Sequence, residues 1–387
     1  MRGVTLCATA LLFSLTQACR FVPDCGASGT GAAGNVPSSG SGSGGQAAAG
    51  APAVGGSGGS AGTASVVSTN PSAVWQNVTS NLAGTPSMCG SSGLITNVPG
   101  TSELLVAIAL HGLWTSADEG QSWQALPGSA LITNSVSTVL FDPMNSDAFW
   151  VVGNHMSPYL TFTQDAGATF NALDNGMLDG LDAVAVDFAD PDRKTLLVGG
   201  HEEAQTVWRS DDAGSTWEPI GSGLPSSPYC STPVVVDPQT YLVGCSDGQI
   251  QRSADGGANW AQVSAQGSNR TPLQASDGSW YWAGTDGSLI RSLDDGQTWS
   301  AVLGAGSLVG PVPPIELPDG RIAARSSSGI VVGKSQGDFT QVTPALAHDP
   351  WTIAYSAMSK AFYFAWGTCG NVPDDAVMRC AFDYTAQ

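Results

Sequence analysis

Charge is in short supply in this sequence, and positive charge most of all. Asp, Glu, Lys and Arg make up 12% of the 387 residues, roughly half the usual quarter. Lys and Arg number 13 against 32 Asp and Glu, a formal net charge of −19. The first shortage argues against an all-α protein, because the solvent faces of helices are normally built from Lys and Glu. The second argues against nucleic acid as a partner, since an acidic surface repels phosphates. No apolar run reaches the roughly 20 residues that cross a bilayer as a helix. The 8 cysteines include no CxxC pair, so thiolate-held metal has no signature, and no spacing of residues specifies a resident metal or cofactor. What is abundant is glycine, at 49 residues, about twice the ordinary share.

The first residues give an address. Met1-Arg2 is a short basic start, residues 4–16 are apolar at signal-peptide length, and Thr16-Gln17-Ala18 reads as a cleavage site directly before Cys19. Residues 1–18 are therefore expected to be a signal peptide. The arrangement resembles a bacterial lipoprotein signal, which implies acylation of Cys19, although Leu15 lies one place further from that cysteine than in the usual lipobox. Residues 26–70 carry no charge and are mostly Gly, Ala and Ser. Such a composition cannot bury enough apolar surface to offset its ordering entropy. Residues 19–70 thus read as a lipidated cysteine followed by a flexible tether. The expectation is an extracytoplasmic protein, held at an outer membrane or cell surface only through its lipid, or otherwise secreted.

From residue 71 onward a repeat organises the chain. Five segments read alike: Ser116 to Trp123 around Asp118, Thr163 to Phe170 around Asp165, Ser210 to Trp217 around Asp212, Ser253 to Trp260 around Asp255, and Ser292 to Trp299 around Asp294. An eroded sixth copy runs from Gly333 through Gly337 to Phe339. Asp and Ser/Thr side chains can bond backbone N–H groups of a tight turn, glycine supplies a positive φ, and the aromatic buries a large ring. The box is a hairpin clip rather than a catalytic motif. Around the third box, strands A to D are expected at 183–188, 195–199, 206–210 and 216–220. Four short antiparallel strands per 40-odd residues is a propeller blade. The last repeat lacks a D strand, whereas residues 74–78 copy one. The chain from 71 to 387 is therefore expected to be all-β: a single seven-bladed β-propeller of four-stranded antiparallel blades, its ring closed by an N-terminal strand.

The pattern Ser/Thr-x-Asp-x-Gly-x-Thr-Trp/Phe resembles the Asp box, or bacterial neuraminidase repeat, of the sialidase, sortilin and xyloglucanase-like propellers. The resemblance implies that box turns and A–B turns share one face, with ligands on the opposite face between the D–A and B–C loops. The B–C loops carry His111, His155 and His201 at nearly equivalent positions, followed by Glu202, Asp247 and Asp286, and His348 falls in a D–A loop of the same face. A ligand, or a bound cation, is expected at that histidine rim; Glu202, Asp247 and Asp286 are weak candidates for an acid–base pair. Trp280, Trp282, Trp366 and Tyr159 could stack on sugars.

Sialidase activity is unlike this chain. The Arg-Ile-Pro motif is missing, and Arg209, Arg252 and Arg291 each directly precede a box, at the wrong end of strand C. Only Arg270 and Arg325 approach the ligand face. The arginine-rich patch of photosystem II assembly-factor propellers is absent too. The cysteines suit an oxidising compartment, with local disulfides expected for Cys230–Cys245 and Cys369–Cys380. The reading is a monomeric binding or scaffold module for carbohydrate or protein, with glycoside hydrolysis by face carboxylates as the alternative.

Overall fold

A computed structural model describes residues 73–386. The expected signal peptide and the whole of residues 19–70, with Cys19, Cys25 and the tether, lie outside the described residues. Within them are seven four-stranded antiparallel sheets, and the helical turns are short 3-10 segments. The third blade runs Leu181–Val186, Leu196–Gly200, Val207–Ser210 and Glu218–Pro219. Its outer strand is shorter than the sequence suggests, because Thr216 and Trp217 are held in the box. In the seventh blade Gln76–Asn77 supplies the outer strand, pairing Gln76 with Arg379 and Asn77 with Met378. The N-terminal strand closes the ring, which removes the sheet edges an open array would expose.

The core lies between blades. Successive strand residues point to opposite faces, so Leu196 and Val198 pack toward blade two with Trp150 and Leu160, whereas Leu197 packs toward blade four with Tyr241 and Val243. Both faces of every sheet are covered. This is why the strands read as near-continuous apolar runs and why so few charges are needed.

The boxes hold both their own turn and the neighbouring blade. In blade three the Ser210 hydroxyl donates to Asp212 Oδ1 (2.8 Å) and accepts the Gly214 N–H (2.8 Å), while Asp212 accepts the Thr216 N–H (2.7 Å) and hydroxyl (2.7 Å). The other four boxes repeat this set. These bonds hold the aspartates below the usual carboxylate range, Asp165 at about 2. A depressed carboxylate contributes stability that is present above its unfolded value, about 3.9, and lost as the pH falls toward its folded one.

The second function was not legible as a turn motif. The indole N–H of Trp123, Trp217 and Trp260 donates to a carbonyl at the end of the preceding blade's outer strand: Val78 (2.9 Å), Leu173 (2.8 Å) and Ile220 (3.0 Å). The box glycine meets the same residues, and a Cβ on Gly120, Gly214 or Gly257 would stand 2.9, 3.1 or 2.7 Å from Val78, Leu173 or Ile220. Trp299 bonds the carbonyl of its own Gly296 instead. In the eroded box, Asp338 reaches back to accept the Lys334 and Ser335 N–H groups.

The disulfides need one correction. Cys230 pairs with Cys245, but Cys369 pairs with Cys89, and Cys380 is free and buried. Cys380 sits mid-strand opposite Phe362, within the sheet. Cys369 lies in the loop that packs on the segment entering blade one, where Val372 and Thr85 exchange a backbone bond and Ser91 N–H reaches the Thr368 carbonyl. Sequence proximity favoured the wrong partner, and ring closure supplied the right one.

Gly214→Ala is expected to cost about 1–2 kcal/mol, since it combines a positive φ with a crowded Cβ, and Trp217→Phe about 1 kcal/mol from the lost indole bond. Urea unfolding checks both. Equal stability of Gly214→Ala and the wild type would refute the inter-blade contact.

Candidate functional site

The seven inner strands and the loops that lead into them converge on a mouth at the end of the ring opposite the boxes. Its wall contains Gly93 and Leu94 of blade one, Ser137 and Thr138 of blade two, Asp182 of blade three, Thr232 of blade four, Asn269, Arg270 and Thr271 before blade five's inner strand, Pro313 before that of blade six, and Trp351 and Thr352 of blade seven. The mouth opens to solvent, and its enclosed part measures only about 30 Å³.

Two of the four histidines meet here. His201 Nδ1 lies 2.7 Å from Asp182 Oδ1, and the His155 ring packs edge-on against it with centroids 5.3 Å apart. The other two are engaged elsewhere. His111 Nε2 donates to the Pro86 carbonyl (2.6 Å). His348 stacks on Trp366 at 3.7 Å and bonds Asp375 through Nε2 (2.8 Å). Among the described residues, no three His, Cys, Asp or Glu side chains gather as a metal site.

The backbone explains the dispersal. Equivalent N–H groups bond inward at Ala109, His201, Ser246 and Thr285, which aligns Leu110, Glu202, Asp247 and Asp286 with one another. By the matching bonds of Gly153 and Gly200, His155 joins that set. The three loop histidines therefore occupy three successive turn positions, not one. Alignment on the strand-end glycines Gly153, Gly200 and Gly284 would have shown this from sequence.

The carboxylate candidates divide as well. Asp247 accepts the Gln249 backbone N–H (3.0 Å) and side-chain amide (2.7 Å), and Asp286 accepts the Ser288 N–H (2.9 Å) and hydroxyl (2.6 Å). Both are Asx-type turn residues. Glu202 is exposed with a positive φ of 55°.

The aromatic candidates sort differently. Trp280 and Trp282 are buried in the core. Trp366 is covered by His348, and Tyr159 is half-buried. Arg325 approaches the face but is spent on the Val309 carbonyl (2.8 Å) and Asp349. Arg209 and Arg252 lie on the box face, each reaching a carbonyl in the next blade's box.

Sequence reasoning missed Asp182, Tyr229, Asn269 and Trp351. Asp182 and Trp351 sit at inner-strand starts, positions that look like blade scaffolding until the ring brings them together. The Asp182 hydrogen bond raises the His201 pKa, while burial and then the charge of His201 lower that of His155. Burial, with Glu202 and Asp182 nearby, raises Tyr229.

Comparison with known proteins agrees with this architecture. Residues 185–328 match the family described as the DUF6242 beta propeller domain. A xyloglucanase from a Paenibacillus species is 32% identical over 111 residues, 25% of this chain and 11% of that protein. The chain thus matches about a tenth of the length of that relative. The solved GH74 enzyme of Niastella koreensis superposes with a TM-score of 0.55 at 17% identity, over 77% of this chain and 53% of that one. YCF48 bound to D1 peptide superposes with a TM-score of 0.53 at 14% identity, over 84% and 100%. These are likenesses of fold.

His201 has a raised pKa, so its bond to Asp182 stabilises the fold fully below the ordinary histidine value and ceases to do so as the pH rises through the raised one. Asp182→Asn is expected to cost about 1–2 kcal/mol at pH 6 and little at pH 9. Histidine NMR titration should place His201 above His155. The reverse order would refute the assignment.

Proposed function

We propose that this protein is an exported binding module that takes a carbohydrate or protein ligand at the axial mouth, and that its tether is anchored by lipid at Cys19. The observation that carries the reading is the make-up of the mouth. Polar side chains from separate blades converge there around an indole, Trp351, that remains 40% exposed. Ligand sites are typically concave, with a few convergent polar groups. Two disulfides support an oxidising, extracytoplasmic setting. Relatives in fold include an enzyme acting in a GH74 family and a propeller solved with a peptide, so the architecture accommodates either ligand class.

Glycoside hydrolysis is the second reading, favoured by the match to a xyloglucanase. The turn bonds of Asp247 and Asp286 weigh against it, because a general acid or base must have its carboxyl free to exchange a proton with substrate.

On polysaccharide and peptide arrays the full chain should bind through the mouth. Trp351→Ala should weaken binding at least tenfold, and Met144→Glu, at an exposed turn on the box side, should leave it unchanged. Binding indifferent to Trp351 would refute the placement. Polysaccharide turnover abolished by Asp247→Asn or Asp286→Asn would replace the binding role with hydrolysis. In cells fed radiolabelled fatty acid, label is expected on the wild type and not on Cys19→Ala; an unlabelled wild type would remove the anchor.

A further inference from the structure

Among the described residues, every arginine but one meets a carboxylate or a carbonyl. Arg193 holds Asp142, Arg209 holds Asp211 and Glu218, Arg252 the Asp295 carbonyl, Arg291 Asp277, Arg321 Asp319, Arg325 Asp349 and Arg379 Glu119. The exception is Arg270, an exposed side chain in the wall of the mouth whose guanidinium has no hydrogen-bond acceptor. In a chain with 32 acidic residues and 13 basic ones, an arginine engaged in no ion pair is out of keeping with the rest of the molecule.

Its guanidinium lies over the face of Trp351, the central carbon 5.9 Å from the ring centroid. That ring is held on a shelf of backbone. A Cβ on Gly93 would stand 2.5 Å from the indole, and one on Gly90 would stand 3.2 Å from it. Only glycine permits so close an approach. The shelf begins next to Cys89, which is fixed by its disulfide to Cys369. The indole is thus immobilised from beneath and left 40% exposed. The part of the indole that neither the shelf nor Arg270 covers is a fixed apolar surface on which a pyranose ring can pack. Around it the wall is rich in hydroxyls, from Ser137, Thr138, Thr232, Thr271 and Thr352, with the Asn269 amide beside Arg270.

We propose that the mouth binds a uronic acid residue borne singly on an otherwise neutral glycan, its carboxylate on Arg270 and its ring against Trp351. The proposal rests on the binding role of the mouth and names its ligand class. A guanidinium offers a planar fork matched to a carboxylate, the geometry that makes such pairs strong. The charge balance limits the ligand to one such group. Arg270 is the sole cation in the wall, Asp182 shares that wall with it, and the chain as a whole carries −19. Each further carboxylate on a ligand adds repulsion from that field with no second cation to offset it, so a polyanion such as polygalacturonate is disfavoured relative to a single carboxylate.

The test is calorimetric titration of the full chain with xylotriose bearing one glucuronate, the methyl ester of the same compound, unsubstituted xylotriose, a neutral oligosaccharide bearing one galacturonate, and polygalacturonate. At least one singly charged uronate should bind ten times or more tighter than its ester or neutral counterpart. Arg270→Gln should erase that preference, and Trp351→Ala should weaken the acid and neutral forms alike. Circular dichroism confirms that both variants fold. Equal affinity for acid and ester, tighter binding of polygalacturonate, or a preference untouched by Arg270→Gln would overturn the proposal while leaving the mouth a binding site. Failure of every uronate to bind would overturn it as well. The broader reading would fall separately, if array binding proved indifferent to Trp351.

Discussion

A seven-bladed ring depends on how each sheet is fastened to the next, and at three junctions the fastening is the same contact. The box glycine lets the outer-strand residue of the preceding blade approach within contact of its Cα, and the box indole then donates to that residue's carbonyl. The turn bonds of Ser and Asp set the geometry in which both happen. Removing the glycine would disturb two blades, not one. Phe170 shows the limit of the scheme: it packs its ring against Phe149 but has no N–H to give. The recurring spacing of box glycine, aspartate and aromatic follows from the turn each box forms and from the contact that three of them make.

The same economy explains the charge. Box aspartates bond their own turns, Asp142 grips Arg193, and Asp247 and Asp286 cap B–C turns. Much of the −19 is local punctuation, and its energetic role is to satisfy backbone N–H groups that no strand partner reaches. Against that background a cation without a structural partner stands out, and among the described residues it is found at the mouth rather than on the box face. The histidine rim shows how a repeat can mislead. Residues that look equivalent by their place in the B–C loops differ by one step in the turn, and one step redirects a side chain entirely.

The architecture was legible because it rests on local patterns: boxes, four short strands to each repeat and an orphan outer strand at residues 74–78. Those patterns need only near neighbours, so sequence carries them. The site was much less legible. Asp182 and Trp351 are 169 positions apart in the chain and come together only because inner-strand starts converge on the axis. The Cys89–Cys369 bond has the same origin, since it joins residues 280 apart across the seam. Arg270 was visible as a residue reaching the ligand face, but its lack of an acidic partner appears only when every other arginine has been paired.

Closure and site are one piece of structure. The segment that leaves the closing strand runs through Cys89 to Gly93, bonds the loop of blade seven at Thr85 and Ser91, and ends as the shelf beneath Trp351. A seam held only by the two-residue pairing of Gln76–Asn77 would fray, because so short a strand has few bonds to lose. The disulfide and the loop bonds remove that freedom at the point where the shelf begins. An indole resting on backbone that could open would sample many orientations and bind weakly, since ordering it would have to be done by the ligand. Fixing the seam therefore orders the platform in advance, which ties the covalent closure of the ring to the chemistry at its mouth.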